Sequence, residues 1–441
     1  MTSLDEEIDA KFGADDGPPD DDADGEKKKK PSQADILIKL AGAADLIHTP
    51  AGDAYALVEA RGHRECWPVR RKEFRRWLVR RYYRQTGKAP NSDAMQQALG
   101  VVEAQAQFDA PQRDVFLRRA AHGGSIYIDL GDPDWQAVEI DRNGWRIVPE
   151  APVLFRRPRG MLPLPVPERG GDLDALATHV NVAGDDLELF VAWILAALRP
   201  RGPYPALVLA GEPGSAKSTA ARRARDLVDP HSAPLRTVPR SEQDLWVSAQ
   251  NAGVVAIDNI SWVPTWLSDG LCRLATGGGF ASRELYSDSD ESVIEAVRPA
   301  VLTGIADVAT RPDLADRSIL LSLDHLPEGG REEAQLEADW RRDKPYILGA
   351  LLDRMVHGLR HLEEVDRRRL PRMADFAAWT AATEHPDRSA TNAYLANRRS
   401  AVDSMIENDA IASAITRLSL PWTGTAGELL AAIERIVPEQ D

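Results

Sequence analysis

The stretch Gly211-Glu212-Pro213-Gly214-Ser215-Ala216-Lys217-Ser218-Thr219 has residue types and spacing that could hold a nucleotide phosphate. It follows an apolar run, Ala206–Ala210, and precedes an alanine- and arginine-rich segment that reads as a helix. A strand, a glycine-bearing loop and a helix start form a phosphate cradle, because the loop turns backbone N–H groups inward and the helix N-terminus adds partial positive charge. Lys217 would reach the β- and γ-phosphates of ATP, and the Ser218 hydroxyl would ligate magnesium. The residue before the lysine, usually glycine in such loops, is Ala216, which the loop tolerates if its φ stays negative.

Further residues belong with this loop. Val254-Val255-Ala256-Ile257-Asp258-Asn259 describes a buried strand that delivers the Asp258 carboxylate to its C-terminal edge, where open α/β sheets hold ligands. Asp258 would share the magnesium with Ser218; taken alone, the segment is also compatible with an ordinary strand ending in an Asx turn. The next position, where a glutamate often orients the attacking water, holds Asn259, a poor base, leaving Asp269 as the nearest alternative acid or turnover as slow. Ala300-Val301-Leu302-Thr303-Gly304 is another apolar strand; Thr303 either senses the γ-phosphate or caps the strand end. Arg311-Pro312-Asp313-Leu314-Ala315-Asp316-Arg317 precedes the last apolar strand, and Arg317, more than Arg311, is expected to reach a neighbouring subunit's nucleotide. A surface salt bridge is the plainer reading of that arginine. Between Asp258 and Thr303, Gly277–Tyr286 and Val293–Val297 flank a polar turn, the pattern of an inserted β-hairpin.

Phosphate loop, aspartate strand, hairpin, sensor strand and late arginine, in this order between Gly211 and Arg317, resemble the AAA+ core of superfamily 3 helicases. More closely, Trp266–Gly278 and Asp307–Arg317 are similar to the helicase half of phage and mobile-element primase-helicases of the poxvirus-primase type. The segment Ser125–Val148 resembles the part preceding that core, and the resemblance spans Val115 to His361. It implies a ring-shaped homo-oligomer, a hexamer, that hydrolyses ATP with magnesium at subunit interfaces and moves on single-stranded or forked DNA; the two widely separated cysteines make a reducing cytoplasm the default. Three positions depart from that pattern: Ala216 for glycine, Thr303 for asparagine, and an acidic hairpin tip, Asp288-Ser289-Asp290-Glu291, where a basic residue usually grips DNA. No Asp-x-Asp strand with a nearby histidine and no zinc ligands mark a primase centre, so a separate primase or polymerase is the expected partner. The alternative is an AAA+ switch, loader or replication initiator that binds DNA and hydrolyses ATP slowly. A small-molecule kinase fits less well, lacking reason for the hairpin and the late arginine.

The elements that must position these residues follow from composition and periodicity. A chain of 441 residues can hold two or three domains. Its formal charge of −15 argues against wholesale nucleic-acid coating. Residues 1–31 read as a disordered acidic tail ending in a lysine run, 32–110 as an N-terminal helical domain, and 111–158 as a small β-rich unit. A Pro/Gly linker at 159–171 leads to the α/β core at 172–330, with apolar runs at Ala206–Ala210, Leu235–Val238, Val254–Ile257, Ala300–Leu302 and Ile319–Leu323 suited to a parallel sheet. Residues 331–420 read as a C-terminal helical region and 421–441 as the start of a further domain. Cys66 and Cys272 have neither disulfide-framework nor metal-ligand spacing, and no apolar run is long enough to span a bilayer. Within the first helical stretch, Arg75, Arg76 and Arg80 interleave with Phe74, Trp77, Tyr82 and Tyr83. These arginines and Arg283 are the candidates for contacting nucleic acid; an amphipathic helix with solvated arginines is the equal alternative.

Overall fold

The computed structural model describes residues 30–283, 291–305, 311–327, 332–368, 370–385, 387–408, 410–418 and 421–436. The acidic tail, the hairpin tip Asp288–Asp290 and Asp307–Thr310 lie outside the described residues. The chain divides into two compact units, one built from residues up to Ala43 with Arg70–Ala104, the other from Ala44–Val69 and Gln105 onward.

The first unit is helical. Its α1 (Gln33–Ala41) opens on a capping box, in which Ser32 and Asp35 satisfy each other's backbone N–H groups. It also contains α2 (Lys72–Thr86) and most of α3 (Ser92–Phe108), the latter capped by Asn91, whose side-chain oxygen accepts the Ala94 N–H at 2.7 Å.

Between α1 and α2 the chain departs from the mostly helical reading of 32–110. Three antiparallel strands, β1 (Asp45–His48), β2 (Ala54–Ala60) and β3 (His63–Pro68), form a meander that belongs to the second unit. Arg61-Gly62, with φ of 56° and 87°, makes the tight turn between β2 and β3. Its inner side chains Ile47, Leu57 and Cys66 pack with Val115 and Leu154. Burial pushes the Cys66 thiol up to about 12, so it stays a neutral core residue.

The β-rich stretch adds a short parallel pair, β4 (Val115–Phe116) and β9 (Leu154–Phe155), around a four-stranded antiparallel sheet. That sheet comprises β5 (Arg119–His122), β6 (Ser125–Asp129), β7 (Ala137–Ile140) and β8 (Trp145–Val148). The Pro/Gly segment that follows is hydrogen-bonded to its surroundings: the Leu164 N–H donates to the Leu130 carbonyl and the Glu168 N–H to the Pro345 carbonyl.

The core sheet is parallel, with strand order β11 (Val255–Ile260), β14 (Ala300–Gly304), β10 (Ala206–Ala210), β15 (Ser318–Ser322). Alternate residues feed opposite faces. Leu207, Leu209, Val301 and Ile319 pack with α4 (Gly184–Ala197) and α5 (Lys217–Val228), whereas Val208, Ile257 and Leu302 pack with α6 (Glu242–Gln250) and α7 (Thr265–Thr276). Helix α4 is apolar almost all round and is buried from Leu187 to Ala197, which makes it the centre of the larger face. Leu235–Val238, expected as a strand, touches the sheet through one bridge, Arg236 to Ile257, because Pro234 and Pro239 bracket it and deny a longer ladder its N–H donors. The hairpin strands β12 (Gly279–Arg283) and β13 (Glu291–Glu295) pair antiparallel, and α8 (Pro312–Ala315) leads into β15. Helices α9 (Glu333–His361), α10 (Ala374–Ala382), α11 (Ala390–Asn408), α12 (Ala410–Thr416) and α13 (Ala426–Glu434) follow. No helix among the described residues is long and apolar enough to cross a membrane.

Candidate functional site

The glycine-bearing loop Gly211–Thr219 leaves β10 at the C-terminal edge of the sheet. Gly211 donates to the Gly304 and Ile305 carbonyls, which ties the loop's first residue to the end of β14. Gly214 has φ +92°, a conformation that favours glycine, and at Gly211 a Cβ would meet the Leu323 carbonyl oxygen at 2.6 Å. Ser215 is buried with its hydroxyl unpartnered among the described residues. Ala216 is the N-cap of α5 and adopts φ +59°, against the negative φ on which its tolerance was premised. An alanine held there costs about 1–2 kcal/mol, which the surrounding loop must offset. No side chain caps α5, so its first N–H groups face the loop.

Lys217 opens α5, and its ammonium donates to the Glu212 carbonyl at 3.2 Å. The Ser218 hydroxyl donates to Asp258 Oδ1 at 2.8 Å. Asp258 lies at the far end of β11, where the ladder with β14 shifts register between Ile257 and Ile260. The bulge is made by Asn259, whose φ of +56° lies in the left-handed region that asparagine enters more readily than most residues. This turns the Asn259 N–H onto Thr303 Oγ1, at 2.9 Å. Thr303, fully buried on β14, donates in turn to Asp258 Oδ1 at 2.5 Å. Its hydroxyl is therefore spent on the aspartate and the bulge. Ser218, Asp258, Asn259 and Thr303 thus form one hydrogen-bonded group beside Lys217.

Other expected residues lie elsewhere. Arg317 stands before β15, and its carbonyl accepts the Ala206 N–H. Since β10 and β15 run parallel, it sits at the opposite edge of the sheet from the loop, about 17 Å away at the usual strand rise. There its Nη1 donates to the Asp313 carbonyl at 2.8 Å, while its Nε is buried without a partner among the described residues. Arg311 pairs with Asp269 at 3.3 Å, so that carboxylate already has a cation. Arg75, Arg76 and Arg80 are exposed on α2. Arg283 ends β12, its backbone paired with Glu291.

Two residues at the loop had no sequence signal. The Asn181 amide donates to the Ser215 carbonyl at 3.1 Å and to the Asp324 carbonyl at 2.7 Å, bracing the loop against the segment after β15. His325, next in that segment, covers Gly214. Each is an isolated polar residue whose role arises from chain crossing, with no local spacing to reveal it.

A sequence profile of the actinomycete integrative conjugative element replication proteins matches residues 173–408, which spans the loop, the sheet and the helices α9 to α11. The chain belongs to that family. No curated protein matches it. Among solved structures, this replication-family chain is similar at 11% identity to the C-terminal region of NrS-1, over 72% of this chain and 68% of that one, with a TM-score of 0.41. It is similar at 11% identity to a chain described as SCCmec type IV Cch, an active helicase, over 84% and 75%, with a TM-score of 0.44. A full-length MCM homolog from Methanopyrus kandleri is 13% identical over 76% and 88%, with a TM-score of 0.32.

Proposed function

We propose that this member of the replication-protein family is an ATP-dependent DNA helicase or translocase of a mobile genetic element, with an AAA+ core of the superfamily 3 type. The observation that carries the reading is the contact of Ser218 with Asp258 beside Lys217 at the C-terminal edge of a parallel sheet. Strand order supports it, since β14 stands between the strand of the loop and the strand of the aspartate and contributes Thr303 to the end of the latter, at Asp258 and Asn259.

The residues present suit magnesium-ATP: a loop with glycine where a side chain would collide, a buried unpartnered serine hydroxyl, an uncapped helix N-terminus, and a hydroxyl–carboxylate pair. Bound there, magnesium-ATP supplies the anhydride to be cleaved and the cation that offsets its charge. Lys217 compensates phosphate charge, Ser218 and Asp258 hold the cation, and Thr303 orients Asp258. Arg317 lies at the opposite sheet edge, and the reading offers it to a neighbouring subunit in a closed head-to-tail ring; a hexamer in the cytoplasm is part of the same proposal. Single-stranded or forked DNA is the track, and a separate primase or polymerase completes the replication machinery.

Asn259 favours a second reading. A neutral amide follows Asp258, and Asp269 is engaged by Arg311, which suits a nucleotide-dependent switch, loader or initiator with slow hydrolysis. One assay separates the two. The turnover of a helicase rises many-fold with single-stranded DNA and vanishes in Lys217→Ala; a switch binds ATP and barely responds to DNA. Hydrolysis that survives Lys217→Ala would remove both readings.

A further inference from the structure

Helix α2, in the first unit, carries a charge pattern that the ATP-binding edge does not use. Phe74, Leu78 and Tyr82 recur every fourth residue and are buried. On the opposite side Lys72, Arg76 and Arg80 recur with the same spacing, flanked by Arg75 and Arg84, and all five are exposed. Glu73 is the single acid on this helix.

Among the described residues, no carboxylate pairs with Arg75, Arg76, Arg80 or Arg84, whereas the neighbouring Arg70 is spent on Glu103. Like charges four apart on a helix repel each other, so this concentration of cations disfavours the isolated helix. It also runs against the composition of a chain whose net charge is −15. Four of the five cations are arginine, whose planar fork matches phosphate oxygens. Among them Tyr83 leaves 60% of its surface exposed, an aromatic face with no core to join. Arginines beside an uncovered aromatic ring are the chemistry of a surface that follows a phosphodiester backbone and stacks on unpaired bases.

We propose that the exposed face of α2 binds single-stranded nucleic acid, with Arg75, Arg76 and Arg80 on phosphates and Tyr83 stacked on a base. This site shares no residue with the proposed nucleotide site and does not depend on it.

The test uses the full chain without nucleotide, a fluorescently labelled oligothymidylate and a salt titration of binding anisotropy. The triple variant Arg75→Gln, Arg76→Gln, Arg80→Gln should bind about 10-fold or more weakly in low salt, and its log–log salt slope should flatten by about 2. The triple Arg→Lys variant keeps the charge and should keep the slope. Tyr83→Ala should weaken binding about 10-fold, the worth of one stacked base, with the slope unchanged. Matching melting curves exclude unfolding as the cause. Parental affinity and slope in the Gln triple would overturn the proposal, as would an equal loss of slope in the Lys triple. Tighter binding to duplex than to oligothymidylate would overturn the single-strand assignment, and equal competition by polyglutamate would point to an acidic protein instead.

Discussion

The Ser218 hydroxyl donates to the Asp258 carboxylate at 2.8 Å across 40 residues of sequence. In the proposed cation site both groups would turn their oxygens toward the metal, and this hydrogen bond would be the contact that magnesium replaces. Asp258→Asn keeps the size of the side chain and removes its charge. Hydrolysis should fall by at least about 100-fold, while nucleotide binding without magnesium stays at the parental level. Ser218→Ala should follow the same pattern. Affinity measured with and without magnesium decides the matter: an equal loss in both would mean that the pair only holds the loop in shape.

Thr303 works through that carboxylate. Its hydroxyl accepts the Asn259 N–H and donates to Asp258, which fixes the carboxylate orientation at the bulge. Thr303→Val should lower hydrolysis about 10- to 100-fold, the usual worth of a group that orients a metal ligand, and leave nucleotide affinity in place. Thr303→Ser keeps the hydroxyl and should restore most of the rate. Failure of serine to rescue would assign the loss to packing at this fully buried position.

The strands that carry the loop, Asp258 and Thr303 were legible in their order because each is a short apolar run closed by glycine or a polar residue, a signal carried within a few neighbours. The meander at Asp45–Pro68 was not. Its β2 reads Ala-Tyr-Ala-Leu-Val-Glu-Ala, with five consecutive buried residues and no alternation to separate strand from helix. Arg61-Gly62 was the local cue, a turn whose two positive φ angles commit the chain to a hairpin. The bracing of the loop by Asn181 is legible in no window, since one of its two acceptors lies 143 residues away.

The position of Arg317 makes a prediction about pairs of subunits. Because it lies at the sheet edge opposite the loop of its own chain, Arg317→Ala should abolish hydrolysis and spare nucleotide binding. Mixed with Asp258→Ala chains, it should regain part of the activity, since some interfaces then combine an intact loop with an intact arginine. Activity in the single variant, or a mixture as dead as its components, would show that the guanidinium serves only its Asp313 carbonyl contact.

Asp229 sets how the core responds to acid. It follows α5, and its Oδ1 accepts from Arg118 Nε at 3.1 Å while Oδ2 accepts the Gly253 N–H at 2.7 Å. Arg118 approaches from the segment before β5, so the contact fastens the small antiparallel sheet to the core. Burial alone would raise the carboxyl; the guanidiniums of Arg118, Arg225 and Arg119 and the Gly253 N–H together hold it below the ordinary range. Burial also pushes the Arg225 guanidinium down to about 10, with Asp229 opposing the shift. A carboxyl lowered on folding contributes stability that is complete above its unfolded value, about 3.9, and is lost as pH falls through its folded value. Asp229→Asn removes the charge and leaves buried guanidiniums without their counter-ion, at a cost of about 3–5 kcal/mol at neutral pH. Denaturant midpoints from pH 7 downward should therefore start lower in the variant and fall less steeply than the parent below about pH 4. Parallel curves would show that Asp229 is not the group whose protonation loosens this junction.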